Sequence, residues 1–219
     1  MRLPKIAQRQ TTMKRHIISL FVIVVAMTGI LPGSASAQTI NVTNASFETG
    51  DPPAGWGPDG WTRDGGTAAG RYDAATSGQS GTDGSHWLWI NPGVTVYQST
   101  GEVIVEGTTY TLTVDVGGAF WSGQSATIRL YGSTDGIGTA LGGAEASVVV
   151  AAASWEQDQT VNFTATATEA GQTLGIALEV TAPQAVFDNV RLEASIGGDT
   201  DPPILSSTDP VNGETNVLT

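Results

Sequence analysis

Apolar and polar residues alternate with a period of two through much of this chain. In TTYTLTVDVGG, Tyr110, Leu112, Val114 and Val116 share one face, and Thr109, Thr111, Thr113 and Asp115 share the other. That pattern marks a strand with one face against a core. The same rhythm runs through SATIRLY (Ala126, Ile128, Leu130), TVNFTATA (Val161, Phe163, Ala165) and TLGIALEV (Leu174, Ile176, Leu178, Val180). HWLWIN, VTVYQST and ASVVVA are three more candidate strands. Turn-rich stretches such as GDPPAGWGPDG, GSTDGIGTALGG and EAGQ separate them. No segment carries long helical periodicity with caps. Short strands at this spacing predict an all-β domain, a sandwich of two antiparallel sheets.

One strand sits badly in this pattern. In AVFDNVRLEA, residues 185–194, strict alternation puts Val186, Asp188, Val190 and Leu192 on one face, with Phe187, Asn189, Arg191 and Glu193 on the other. The more apolar face then carries a carboxylate in its middle, and an unpaired buried carboxylate is costly even after relaxation. Either a cation compensates Asp188, or it lies at a bulge facing water, or it accepts hydrogen bonds from local backbone amides.

The first 37 residues stand apart. MRLPKIAQRQTTMKRH is basic, IISLFVIVVAMTGIL is apolar, and PGSASAQ carries the small-residue pattern Ala35-Ser36-Ala37. That order describes a secretory signal peptide cut after Ala37. The apolar run is about 15 residues, short of the ~20 a spanning helix needs. The expectation is a protein that is secreted or at the cell surface, with no membrane insertion after cleavage. Five of the nine basic residues lie in this leader, which leaves four cations against 21 acids, a balance of −17 with no lysine. Such a chain repels nucleic acid and anionic membranes and offers oxygen ligands to hard cations. Without cysteine, stability rests on the core, on oligomerisation or on metal. Residues 38–194 are enough for one core, and the Gly/Asp/Pro stretch SIGGDTDPP, 195–203, reads as a linker.

NASFETG at 44–50 with PPAGW at 52–56, YQSTGEVIVEGTTYTLTVDVG in the middle and FDNVRLEA near the end form a set. It resembles the galactose-binding-like jelly rolls, among them carbohydrate-binding modules of the CenC type. The resemblance implies first and last strands lying side by side. It also implies a structural Ca2+ held by Glu48 and Asp188, with neighbouring backbone carbonyls filling the shell. Asn44 is read as a turn residue. The partner it implies is a polysaccharide or cell-surface glycan. DTDPPILSSTDPVNGETNV resembles the opening of bacterial Ig-like domains of the SbsA type, which makes 204–219 the start of a further domain of the same chain.

Sugar-binding modules stack sugar rings on flat aromatics, so the tryptophans matter. Trp87 and Trp89 share a face opposite His86, Leu88 and Ile90, and with Trp121 they are the candidate ligand-binding residues. Trp56 and Trp155 read as structural plugs. Catalytic signals are poor: His86 has no evident nucleophile and orienting acid beside it, cysteine is absent, and no Gly-rich phosphate loop or serine elbow occurs. The expectation is therefore a secreted, calcium-stabilised, non-catalytic carbohydrate-binding module. The alternatives are a structural or adhesive spacer domain, or an accessory domain of a hydrolase.

Overall fold

The computed structural model describes residues 37–50, 57–66, 68–73, 79–118 and 124–197. Among the described residues, eleven strands form two antiparallel sheets: β1 (Ala37–Ile40), β2 (Thr62–Asp64), β3 (Ala69–Asp73), β4 (His86–Ile90), β5 (Thr95–Val103), β6 (Thr108–Gly118), β7 (Gln124–Gly132), β8 (Glu145–Val150), β9 (Trp155–Thr164), β10 (Thr173–Ala182) and β11 (Ala185–Ile196). The first sheet runs β3-β4-β11-β6-β9, and β1 also pairs with β11; the second runs β2-β5-β10-β7-β8. The fold is the all-β sandwich of jelly-roll type expected from the alternation.

The alternating apolar residues of both sheets meet in one core. Leu88, Leu112 and Phe187 from the first sheet and Ile128, Leu130 and Ile176 from the second are wholly buried there. The chain ends close this core: Gln38 pairs with Ala194 and Ile40 with Leu192, so the first and last strands do lie side by side. Between β1 and β2, Asn44 takes φ 51° and bonds both ways with Thr49, as a turn residue does. Phe47 follows it into the core, its ring 5.2 Å from that of Trp61.

In β11, strict alternation fails. The pairing with β6 shifts between Asp188 and Arg191, and Asn189 has φ 50°. The extra residue of this bulge inverts the parity of everything after it. Phe187 points into the core, and so do Val190 and Leu192, three and five residues later. Val186 and Asp188 lie on the outer face of the sheet, not on the core face with Val190 and Leu192. The left-handed conformation is one that asparagine tolerates and β-branched residues do not. Asn189→Gly keeps the backbone but loses the side-chain donor to Asp115 Oδ2 and should cost about 0.5–1.5 kcal/mol, whereas Asn189→Val adds backbone strain of about 1–3 kcal/mol to that loss, both read from urea unfolding.

Candidate functional site

The outer face of the first sheet is closed by its own chain. Val186 packs there with Trp87, Tyr72, Trp89 and Trp155, apart from the main core, and Tyr72 stacks on Trp87 with ring centroids 5.1 Å apart. Residues 79–86 are strapped to this cluster. The indole N–H of Trp155 donates to the carbonyl of Ser80 at 2.9 Å and that of Trp87 to Gln79 at 3.4 Å. Further along the strap, Asp188 Oδ2 accepts the backbone N–H of Thr82 at 2.8 Å and of Asp83 at 3.0 Å, while Oδ1 accepts the N–H of Asn189. Glu48 Oε1 then takes the N–H groups of Ser85 and His86, both at 2.7 Å. Its Oε2 takes Ser85 Oγ at 3.1 Å and lies 2.9 Å from His86 Nδ1. Glycine is required where the carboxylate of Glu48 crosses the strap, because a Cβ on Gly84 would come within 2.3 Å of Oε1.

Glu48 and Asp188 thus hold neighbouring parts of one segment, Asp188 at Thr82 and Asp83 and Glu48 at Ser85 and His86, each as an acceptor of backbone amides. Burial pushes the carboxyl of Asp188 up to about 6, against the amide bonds from Asp83, Asn189 and Thr82 that pull it down. For Glu48, burial again works upward, but the hydrogen bonds from His86 and Ser85 together hold it below its ordinary value. Asp115, directly across from Asp188 and 2% exposed, accepts the N–H of Asp158 at 2.8 Å and lies 3.5 Å from Arg191. Among the described residues, no three Asp, Glu, His or Cys side chains gather to share one ion.

The candidate ligand tryptophans divide. Trp87 and Trp89 do share the outward face, but Trp87 is buried beneath the strap and presents no open ring, while Trp89 is half-buried with its indole N–H unpartnered. Trp121 and Trp56 lie outside the described residues. Trp155 belongs to the closed cluster.

The outer face of the second sheet carries a different set of groups, which the sequence reading missed. Gly175 and Ala177 of the central strand β10 form its floor. Ala177 has Tyr97 as its neighbour on one side and Arg129 on the other, and Gly175 is paired with Tyr131. The two tyrosine rings meet edge to face, centroids 6.3 Å apart. Burial, with a smaller contribution from Tyr97, pushes the phenol of Tyr131 up to about 12. Arg129, 8% exposed, holds Glu145 through Nε at 2.6 Å, Glu179 through a terminal nitrogen at 3.3 Å and the carbonyl of Ile137 at 3.1 Å. The signal was present in the alternation: Arg129 and Tyr131 fall on the outward parity of SATIRLY, and Glu179 on that of TLGIALEV. Only the register across β5, β10, β7 and β8 brings them together.

A family model described as HpiC1-like, HpiC1 cyclase, matches residues 38–193. No curated protein matches the chain. Among solved structures, a Stig cyclase, Fisc from Fischerella sp. TAU in complex with (3Z)-3-(1-methyl-2-pyrrolidinylidene)-3H-indole, is 24% identical with a TM-score of 0.59, covering 73% of this chain and 98% of that one. The N-terminal CBM22-1-CBM22-2 tandem domain of Xyn10C from Paenibacillus barcinonensis is 15% identical with a TM-score of 0.52, covering 78% of this chain and 49% of that one. These two likenesses concern the fold. The cyclase family match overturns the expectation of a chain without enzymatic activity, which rested on the absence of familiar nucleophile and metal motifs.

The raised carboxyl of Asp188 fixes a sign. Its proton is held more tightly in the folded state, so its contribution to stability is complete below the ordinary carboxylate value of 3.8 and is lost as pH rises through about 6. Asp188→Asn keeps an acceptor for the strap without the charge. It should flatten the pH dependence of urea unfolding across that window. Asp188→Ala leaves the Thr82 and Asp83 amides without their acceptor and should cost about 1–3 kcal/mol.

Proposed function

This chain belongs to the HpiC1-like family, and we propose that it is a cyclase, closing a ring within one substrate molecule on the outer face of the second sheet. The carrying observation is the sharing of Arg129. Arg129 contacts Glu145 at 2.6 Å and Glu179 at 3.3 Å, and of the two carboxylates it is Glu179 that stands on the central strand, two residues along from the Ala177–Tyr97 pair. Glu179 is the group assigned to carry the proton. Protonation of the substrate leaves an electron-poor carbon, an internal π bond supplies the electron pair of the new bond, and a proton returns from the adjacent carbon. Substrate and product are isomers, so the balance needs no oxidant. The half-buried ring of Tyr97 offers the aromatic face for a flat apolar substrate and for developing positive charge, and Tyr131, 6% exposed, backs it edge to face.

A second reading uses the same face. Aromatic rings beside an Arg/Glu network also suit a glycan, in keeping with the jelly-roll fold. A titration with the 3H-indole compound named above and with a xylan oligosaccharide, followed by intrinsic fluorescence, separates the two. Saturable binding of the indole, weakened at least about tenfold by Tyr97→Ala or Tyr131→Ala (about 1.4 kcal/mol), supports the cyclase site. Binding of the oligosaccharide alone would move the assignment to a glycan, and insensitivity of both ligands to these variants would remove the face from consideration. On a cyclised substrate, Glu179→Gln should lose about 10²–10⁴-fold in rate while Glu145→Gln keeps most of it.

We propose further that the protein is exported by its leader and that Ca2+ acts at the clasp of Glu48 and Asp188. Two carboxylates on one segment, a strongly acidic mature chain and the lack of disulfides support this. The oxygens concerned accept N–H and O–H donors as arranged, so an ion would have to turn some of these donors away. Ca2+ at millimolar level should then raise Tm relative to chelator. Equal Tm values would end the calcium proposal and leave the amide clasp as the whole of the device.

A further inference from the structure

Glycine in the middle of a central strand weakens it, since it contributes entropy cost and no packing. Gly175 occupies such a position in β10, flanked on both sides by paired strands. Its backbone does not demand glycine, because it is absent from the residues with positive φ. What demands it is space. A Cβ built on Gly175 would lie 2.2 Å from Cζ of Tyr131, 2.4 Å from Cε1 and 2.6 Å from Oη, all far inside van der Waals contact. The ring of Tyr131 therefore lies down over the glycine, although its own Cα is one strand away. From that position its edge meets Tyr97, which rises from the strand on the other side of β10. Two aromatic walls from β5 and β7 are thus brought together across one missing side chain.

We infer, on the reading of this face as the substrate site, that Gly175 is a positioning residue for it, holding the buried ring of Tyr131 flat so that its edge fixes Tyr97 in the orientation that meets a planar substrate. With any larger residue at 175, the ring of Tyr131 must swing up from the floor. The corner it makes with Tyr97 then opens, and the phenol moves toward water. Ala177, the next outward residue of the strand, already carries a Cβ, so the clearance is confined to the spot under the ring.

The test combines Gly175→Ala with Tyr131→Ala. In Gly175→Ala the phenol of Tyr131 should titrate close to its ordinary value of 10, down from about 12, as read by ultraviolet phenolate absorbance. Affinity for the planar 3H-indole compound should fall at least about tenfold. In the Tyr131→Ala background the added methyl meets no ring. The double variant should therefore match Tyr131→Ala in Tm and in affinity, and it stays informative even if Gly175→Ala alone does not fold. Unchanged titration and binding in Gly175→Ala, or a penalty that persists without the ring, would overturn the inference. So would restored titration with unchanged affinity, which would mean that the ring merely covers a glycine in a sheet. Failure of the unmodified protein to bind the indole, with the titration and the coupling intact, would count against the cyclase site and not against the placement of Tyr131.

Discussion

One extra residue in β11 governs how this domain is put together. Phe187, Val190 and Leu192 all reach the core, yet no regular strand can point residues of both parities the same way. The bulge at Asn189 reconciles them, at the small cost of a left-handed asparagine. Its consequence reaches the other face. Val186 and Asp188, left outside, become the apolar seat and the anchor for residues 79–86. Without the bulge, either Phe187 or the Val190–Leu192 pair would face water, and the carboxylate would have no turn to hold.

The two outer faces then divide the work. On the first sheet, each carboxylate of the clasp is engaged by backbone amides, and indole N–H groups satisfy the carbonyls at the other end of the same segment. Most of the hydrogen bonds of this surface are made within the chain, the indole N–H of Trp89 being an exception, and Tyr72 and Trp87 cover one another. On the second sheet, two partly exposed carboxylates, Glu145 and Glu179, share the guanidinium of Arg129 on the same outward face as Tyr97 and Tyr131. Chemistry requires groups whose bonds can change. Among the described residues, we take the second face to be the one that offers them.

Much of this was legible in the sequence, and the limits have physical causes. Alternation identifies the long strands, because a half-buried sheet imposes a period of two on its side chains. The pairing of the first strand with the last was legible too, since a jelly roll brings its ends together. The alternatives weighed for Asp188 included a bulge and local amides, and both features are present beside it. Period-two reading nevertheless fails at a bulge, because one residue in the left-handed region leaves no apolar or polar mark. The outward face of the second sheet was overlooked for another reason. Tyr97, Arg129, Glu145 and Glu179 lie on four different strands, and register, not spacing, makes them neighbours.

That dispersal also explains why the proposed site leaves no motif in the sequence. Motif-based reading looks for chemistry that one loop can carry: a nucleophile with its base, a phosphate cradle, ligands at fixed intervals. Ring closure by proton transfer asks for less. It needs a site that folds the substrate upon itself, one acid whose proton can move, and surroundings that tolerate a transient positive charge. A sheet face with aromatic walls, a floor of small residues and a carboxylate on a shared arginine meets those needs without any local signature. The same ingredients, with the acid immobilised, would merely hold a ligand. On the reading proposed above, the cyclase and glycan alternatives share one set of groups, Tyr97, Tyr131 and the Arg129 network, and differ in whether Glu179 exchanges a proton with what is bound there.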